Sequence, residues 1–262
     1  MADADAARES LQPTIPVPSP PPLPPAAPAT AEPEAMSLVD HLTELRSRLI
    51  KCAVAVLVFG AVGFWQAGAI MDVLRGPIGN RPLISLSAGG LFFMYVKIAL
   101  VFGLILSMPV ILYQAWAFIA PGLTQNERRV VRPWVPVALL FFVVGIAVAW
   151  VVLPFALAFL LSFERPGFPI TLTVDNYFGF ITTMFLAFGL TMQFPIVLYI
   201  LSRVGIVSSQ RLRTARRYVI LGIAVFATVI TPGGDLVSPT VLGVTMYLLF
   251  EISIFVIGRS GR

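Results

Sequence analysis

The sequence predicts an all-α integral membrane protein, a kinked bundle of six transmembrane helices with a concave face and both termini in the cytoplasm. Three observations lead there. Of the 262 residues, 58% are apolar and only 12% charged, far from the balance of a soluble domain. The apolar residues gather into runs long enough, at about 1.5 Å per helical residue, to cross about 30 Å of hydrocarbon. Lys and Arg then crowd alternate connections, as short cytoplasmic loops do.

Residues 1–35 carry ten prolines between Pro13 and Pro33, with Ala, Ser and Thr between them. Such a tract predicts an extended, solvated cytoplasmic tail without a core. Its PxxP spacings match an SH3 ligand, but a tract so dense in proline produces them by chance. It lacks the basic region and apolar core of a secretory signal. The membrane domain is expected over 36–257, followed by a short cytoplasmic tail at 258–262. Ordered structure should begin near Ser37, where Ser37-Leu38-Val39-Asp40 reads as a capping box. Leu38, Leu42, Leu45 and Leu49 form one stripe of a helix that lies in the interface before entering the first span. The spans are placed at 49–70, 91–119, 134–161, 177–201, 218–231 and 236–257. The fifth is short, about 14 residues or about 21 Å, so it should thin the bilayer locally or demand oligomeric shielding. Prolines 109, 154 and 195 should kink their helices, with Ser107 and Gln193 placed to satisfy the carbonyls that Pro109 and Pro195 free. Spans two and four also share a register: Phe102-Gly103-Leu104, Pro109, Leu112 and Tyr113 against Phe188-Gly189-Leu190, Pro195, Leu198 and Tyr199. Parallel duplication and a shared packing need both produce this echo.

Arg46, Arg48 and Lys51 precede span one; Arg128, Arg129 and Arg132 follow span two; Arg203, Arg211, Arg213, Arg216 and Arg217 follow span four; Arg259 and Arg262 close the chain. The opposite loops hold Arg75, Arg81 and Arg165 against Asp72, Glu164, Asp175 and Asp235. The net charge of +5 is thus a topology signal, and without an aromatic platform or binding motif it gives no nucleic-acid partner. One cysteine, Cys52, and one histidine, His41, exclude an intrachain disulfide and a multi-Cys or multi-His metal site. No nucleophile motif, Walker loop or HExxH helix is present, so neither an enzyme nor a cofactor is expected. Among the basic loops stand three acids, Asp40, Glu44 and Glu127. Asp40 reads as part of a helix cap. Glu44 can pair with Arg48 four residues on, or bind a cationic ligand; Glu127 can pair with Arg128, cap the next helix, or bind. Within the bilayer, Lys97 can snorkel outward and Gln193 offers both a donor and an acceptor.

The runs HLTELRSRL at 41–49 and PVILYQAWAFIAPGLTQNERR at 109–129 resemble the TatC family, the multispan receptor subunit of the twin-arginine translocase. Supporting matches are Phe188 to Pro195, Arg216-Arg217-Tyr218, TPGGD at 231–235 and MYLLFE at 246–251. The resemblance covers about residues 36–257 and implies a bacterial inner-membrane receptor. By that resemblance Glu44 and Glu127 bind the paired arginines of signal peptides on folded precursors. Arg46 and Arg128 would hold these acids or lipid phosphates in place, and Phe118 and Gln193 would support the site or touch partners. The implied partners are TatA-like and TatB-like single-span subunits, twin-arginine signal peptides, the lipid bilayer and further copies of the chain, with export driven by the proton-motive force. The chain departs from the family's pattern at Gln193, where a glutamate is common, and at Thr245, Gly89-Gly90 and Trp150. The alternative reading is a secondary transporter of a small solute, for which the chain supplies few ionisable groups at the midplane.

Overall fold

The structure is a computed structural model that describes residues 38–231 and 235–259. The proline-rich tail, the Ser37 cap and the interior of the TPGGD turn lie outside the described residues. The chain divides into two units, Met1–Asp40 and His41–Arg262, and apart from the first three residues of α1 the second contains everything that follows.

Nine α-helices are described: α1 Leu38–Trp65, α2 Ala67–Arg75, α3 Gly90–Ile119, α4 Gln125–Val131, α5 Trp134–Leu161, α6 Val174–Thr191, α7 Phe194–Arg203, α8 Ser209–Ile230 and α9 Val237–Arg259. Five helical stretches among the described residues are long and apolar enough to cross a membrane: 39–65, 90–122, 127–161, 174–203 and 237–259. The remaining expected span, the fifth, is α8. Its 22 residues are numerous enough, but Arg211, Arg213, Arg216 and Arg217 occupy its first half, so the apolar part is short. It packs against α9 as the sixth long element of the bundle.

Two expected spans are interrupted. The first ends at Trp65 rather than continuing to residue 70, because the chain turns at Gln66 and starts α2. Ile70, Met71 and Leu74 lie on one face of α2 and join the principal core, a spacing that buries one side of a short helix. The fourth breaks between Thr191 and Phe194, with Pro195 in the first turn of α7. Proline lacks the N–H for the carbonyl four residues earlier and its ring crowds that carbonyl. Pro109 and Pro154, by contrast, sit inside unbroken helices.

The expected rescue of the freed carbonyls does not occur. Ser107 Oγ, fully buried, donates to the Leu104 carbonyl at 3.0 Å, one position short of the carbonyl that Pro109 frees. Gln193 Nε2 donates across the bundle to the Ala138 carbonyl at 3.0 Å, fastening the α6–α7 break to α5. The span that starts at Ser209 rather than Tyr218 does so because Ser208 caps it, its side chain accepting the Arg211 N–H at 3.3 Å.

The core centres on α6, the most buried of the candidate spans. Phe178, Ile181, Met184 and Phe188 lie against α3, α5 and α9, and the buried Tyr177 hydroxyl donates to the Leu74 carbonyl of α2 at 2.7 Å. Two glycines of the sequence echo explain its register. A Cβ on Gly103 would lie 2.7 Å from Gly60 Cα, and one on Gly189 would lie 2.7 Å from the Phe142 ring. Each marks a close helix crossing, α3 on α1 and α6 on α5, so the echo has a common packing role whatever its history.

At one end of the bundle the α2–α3 and α5–α6 connections meet. Leu83–Ile84 (β1) pairs in parallel with Leu172–Thr173 (β2), and Arg81 Nη1 bonds Glu164 Oε2 at 3.0 Å. At the same helix ends Asp235 Oδ2 accepts the Ser238 N–H at 2.6 Å and caps α9.

The α5–α6 crossing is the tightest contact for α6. A Cβ on Gly145 would lie 2.6 Å from the Phe188 carbonyl oxygen and 2.9 Å from Gly189 Cα, backbone atoms that cannot step aside. Gly145→Val should therefore lower the melting temperature in detergent, with a loss of about 1–3 kcal/mol for the forced overpacking. Gly222→Ala, where nothing lies within 4 Å, should be neutral or stabilising by up to about 1 kcal/mol.

Candidate functional site: a polar corner at the end of α1 and α3

His41, Glu44 and Arg48 recur at i, i+3 and i+7, which places them on one face of α1. Gln114 and Phe118, four apart, do the same near the end of α3. The two faces meet. The His41 and Phe118 rings stack with centroids 4.3 Å apart and planes 16° apart. One turn inward, Arg48 Nη1 donates to Gln114 Oε1 at 3.1 Å. Arg48 also grips Glu44 Oε1 through Nε at 2.9 Å and through Nη2, so a single guanidinium bridges an acid of α1 and an amide of α3.

The Glu44 and Arg48 side chains are only 19% and 21% exposed, which sets this pair apart from a surface ion pair of little worth. The second carboxylate oxygen of Glu44, Oε2, is buried and has no hydrogen-bond partner among the described residues. An ionised carboxylate has about four acceptor sites, and leaving one oxygen dry and unpaired is expensive.

Beyond Phe118 the chain makes a 3-10 turn, Ala120–Gly122, and enters α4 through a reciprocal cap. Glu127 Oε2 accepts the Thr124 N–H at 3.0 Å and the Thr124 hydroxyl at 2.9 Å, while Thr124 Oγ1 accepts the Glu127 N–H at 3.4 Å. Of the three readings open for Glu127, the structure shows the cap. Arg128 Nε donates to the Ala120 carbonyl at 3.0 Å and ties α4 back to the end of α3.

The expected site residues thus separate. Glu44 and Phe118 share the corner, and Glu127 follows on the next turn of chain. Arg46 is exposed and makes no hydrogen bond or ion pair among the described residues, so Arg48 rather than Arg46 holds Glu44. Gln193 stands elsewhere, at the α6–α7 break. Lys97 is exposed, its Nζ leaning over Gly179, where a Cβ would lie 3.3 Å away.

Sequence reasoning missed Gln114 and His41. Both lay inside the two most specific runs, and the i, i+3, i+7 spacing of His41 with two charged residues was the available signal. It also missed a fourth acid on the basic side, Glu251, whose Oε2 pairs with Arg216 Nη2 at 2.7 Å.

Among the described residues no group of three His, Cys, Asp or Glu side chains could hold a metal. Fold and site together define a multispan helical membrane protein with a charged, largely buried polar corner at one end. The family model for Sec-independent protein translocase protein (TatC) matches residues 40–244. TatC of Azotobacter chroococcum is 39% identical over 86% of this chain and 92% of its own length, and TatC of Escherichia coli K12 is 37% identical over 85% and 88%. A crystal structure of the twin-arginine translocase receptor TatC in DDM superposes with a TM-score of 0.74 at 36% identity, covering 83% of this chain and 99% of that one. The chain belongs to the TatC family of Sec-independent protein translocases.

Removing the amide that Arg48 reaches should loosen α1 from α3. Gln114→Leu forfeits a hydrogen bond to a charged donor, worth about 1 kcal/mol after solvent screening. Amide exchange over residues 44–50, followed by mass spectrometry, should quicken about fivefold, with exchange in α6 unchanged.

Proposed function

We propose that this translocase component is the receptor for twin-arginine signal peptides, with Glu44 and Glu127 as the acids that take the two guanidinium groups. The observation that carries the reading is the buried, unpartnered Oε2 of Glu44 in an otherwise bonded corner. A guanidinium matches a carboxylate through two parallel charge-assisted hydrogen bonds, and a lysine ammonium does not reproduce that geometry. An incoming arginine supplies the missing donor to Oε2 while Arg48 keeps Oε1. Glu127, at the first turn of α4, is held by Thr124 in a fixed rotamer, ready for the second arginine. Two such pairs give modest affinity, so the apolar part of the signal must add burial, at about 25 cal/mol per Å2 removed from water.

The Lys and Arg bias supports a topology with this corner and both termini at the cytoplasmic face of a bacterial inner membrane. In this reading the chain performs no bond chemistry. It binds the signal, gathers TatA-like and TatB-like single-span subunits and further copies of itself, and commits folded precursors to export driven by the proton-motive force. A signal held at the surface, with partners recruited along the helices, accounts for acids at the rim and for so few ionisable groups at mid-membrane.

Charge reversal tests the pair. Glu44→Lys and Glu127→Lys should each cut export of a twin-arginine reporter about 10- to 100-fold, the loss expected for a charge-assisted bond that becomes a repulsion. Glu44→Gln, which spares Arg48 a like-charge neighbour, should show the same direction with the fold intact. Reporters with glutamate replacing one arginine should regain part of their binding to the Lys variants. Normal export by the double variant would falsify the arginine-pair reading.

A further inference from the structure

A second polar feature lies away from the α1–α3 corner, where the start of α8 meets the end of α9. A cavity of about 670 Å3 there is lined by Ser209, Gln210, Arg213 and Thr214 of α8 and by Phe255 and Arg259 of α9. Its charge is of one sign. Neither Arg213 nor Arg259 makes a hydrogen bond or ion pair among the described residues, and no acid lines the cavity. The nearby cations are engaged: Arg211 donates to the Ile206 carbonyl, Arg216 pairs with Glu251, and Arg217 reaches the Tyr218 hydroxyl. Gly258 faces the same spot, a Cβ there lying in ordinary contact with Arg213 Nη2 at 3.9 Å and Ser209 Oγ at 4.0 Å. The opening turn of a 22-residue helix adds N–H groups and the positive end of its dipole.

The cavity is also continuous with an apolar track. Phe255, Ile252 and Leu248, at 65%, 52% and 56% exposure, follow one another at helical spacing away from Arg259 along an outer face of α9. A free phosphate needs only the cations and the N–H groups. A phospholipid needs those groups at the mouth and an apolar strip leading into the membrane, and both are present.

We propose that this cavity binds the phosphate of an anionic phospholipid, Arg213 and Arg259 clasping the headgroup, Ser209 and the first N–H groups of α8 completing it, and one acyl chain lying along Phe255, Ile252 and Leu248. Arginine suits the task because its planar fork meets two phosphate oxygens at once and because its long stem lets the charge stay at headgroup depth. The site depends on neither Glu44 nor Glu127, so it stands or falls separately from signal binding.

The test is native mass spectrometry of the full chain in a neutral detergent, titrated with phosphatidylglycerol or phosphatidylcholine. The wild type should retain phosphatidylglycerol in preference to phosphatidylcholine. Arg213→Gln/Arg259→Gln should raise the apparent dissociation constant for phosphatidylglycerol at least about tenfold, the effect of losing about 1.4 kcal/mol, with an unchanged melting temperature. Arg75→Gln, at the opposite end of the bundle, should bind as the wild type does. Equal phosphatidylglycerol binding by the wild type and the double variant overturns the proposal. So does displacement of the lipid by inorganic phosphate at equal concentration, which would assign the cavity to a free anion. A glutamate-rich peptide that binds more tightly than the lipid with the same arginine dependence would assign it to an acidic polypeptide, and also overturns the proposal.

Discussion

The backbone crossing of α5 and α6 at Gly145 and Gly189 is the contact on which the rest depends. With no Cβ on either glycine, the helices approach until side chains of one touch backbone of the other, and Phe142, Phe178, Phe188 and Met184 fill the space around them. In a bilayer the solvent is as apolar as these residues, so close packing rather than expulsion from water selects the arrangement. Once α6 is fixed, α3 packs against it, and the Gly60–Gly103 crossing seats α1 on α3. Gln114 and Phe118 are then delivered to the face of α1 that carries His41, Glu44 and Arg48.

The corner sits on the least buried of the candidate spans. Little apolar packing holds α1, so the Arg48 bridge and the His41–Phe118 stack contribute a large share of its placement. This has a functional consequence. In the proposed binding mode a guanidinium on Oε2 would share the Glu44 carboxylate with Arg48 on Oε1, and any shift of that carboxylate would be felt through Arg48 at Gln114 on α3. On the proposed reading, signal binding would be coupled to the seating of α1 through three side chains, Glu44, Arg48 and Gln114, without a long path through the core.

Much of this was legible in the sequence. Apolar runs place the second and third spans at 91–119 and 134–161, where the structure has α3 at 90–119 and α5 at 134–161, because a continuous apolar run satisfies its backbone in lipid as a helix. The breaks were less legible. Gln66 carries no strong stop signal, and α2 forms there because Ile70, Met71 and Leu74 find a core that only the folded chain supplies. Pro195 was read as a kink, and the structure has a full break there, which Gln193 fastens to the Ala138 carbonyl of another helix. At the site, Glu44 and Glu127 stood out as acids among cations. Gln114 did not, since a lone amide in an apolar run has no partner in sequence; its partner is 66 positions away. Likewise Ser37, the tail and the inner residues of TPGGD lie outside the described residues, and their expected roles rest on sequence alone.

Pairing between the acids and a signal's arginines is most directly tested by a double-mutant cycle. Twin-arginine, Lys-Arg and Arg-Lys peptides would be titrated calorimetrically against nanodiscs holding the wild type, Glu44→Gln or Glu127→Gln. If each acid holds one arginine, each Gln variant should couple to one peptide substitution and not to the other, by about 1–3 kcal/mol. Additive losses throughout would mean that neither acid touches the arginines, and would contradict the assignment.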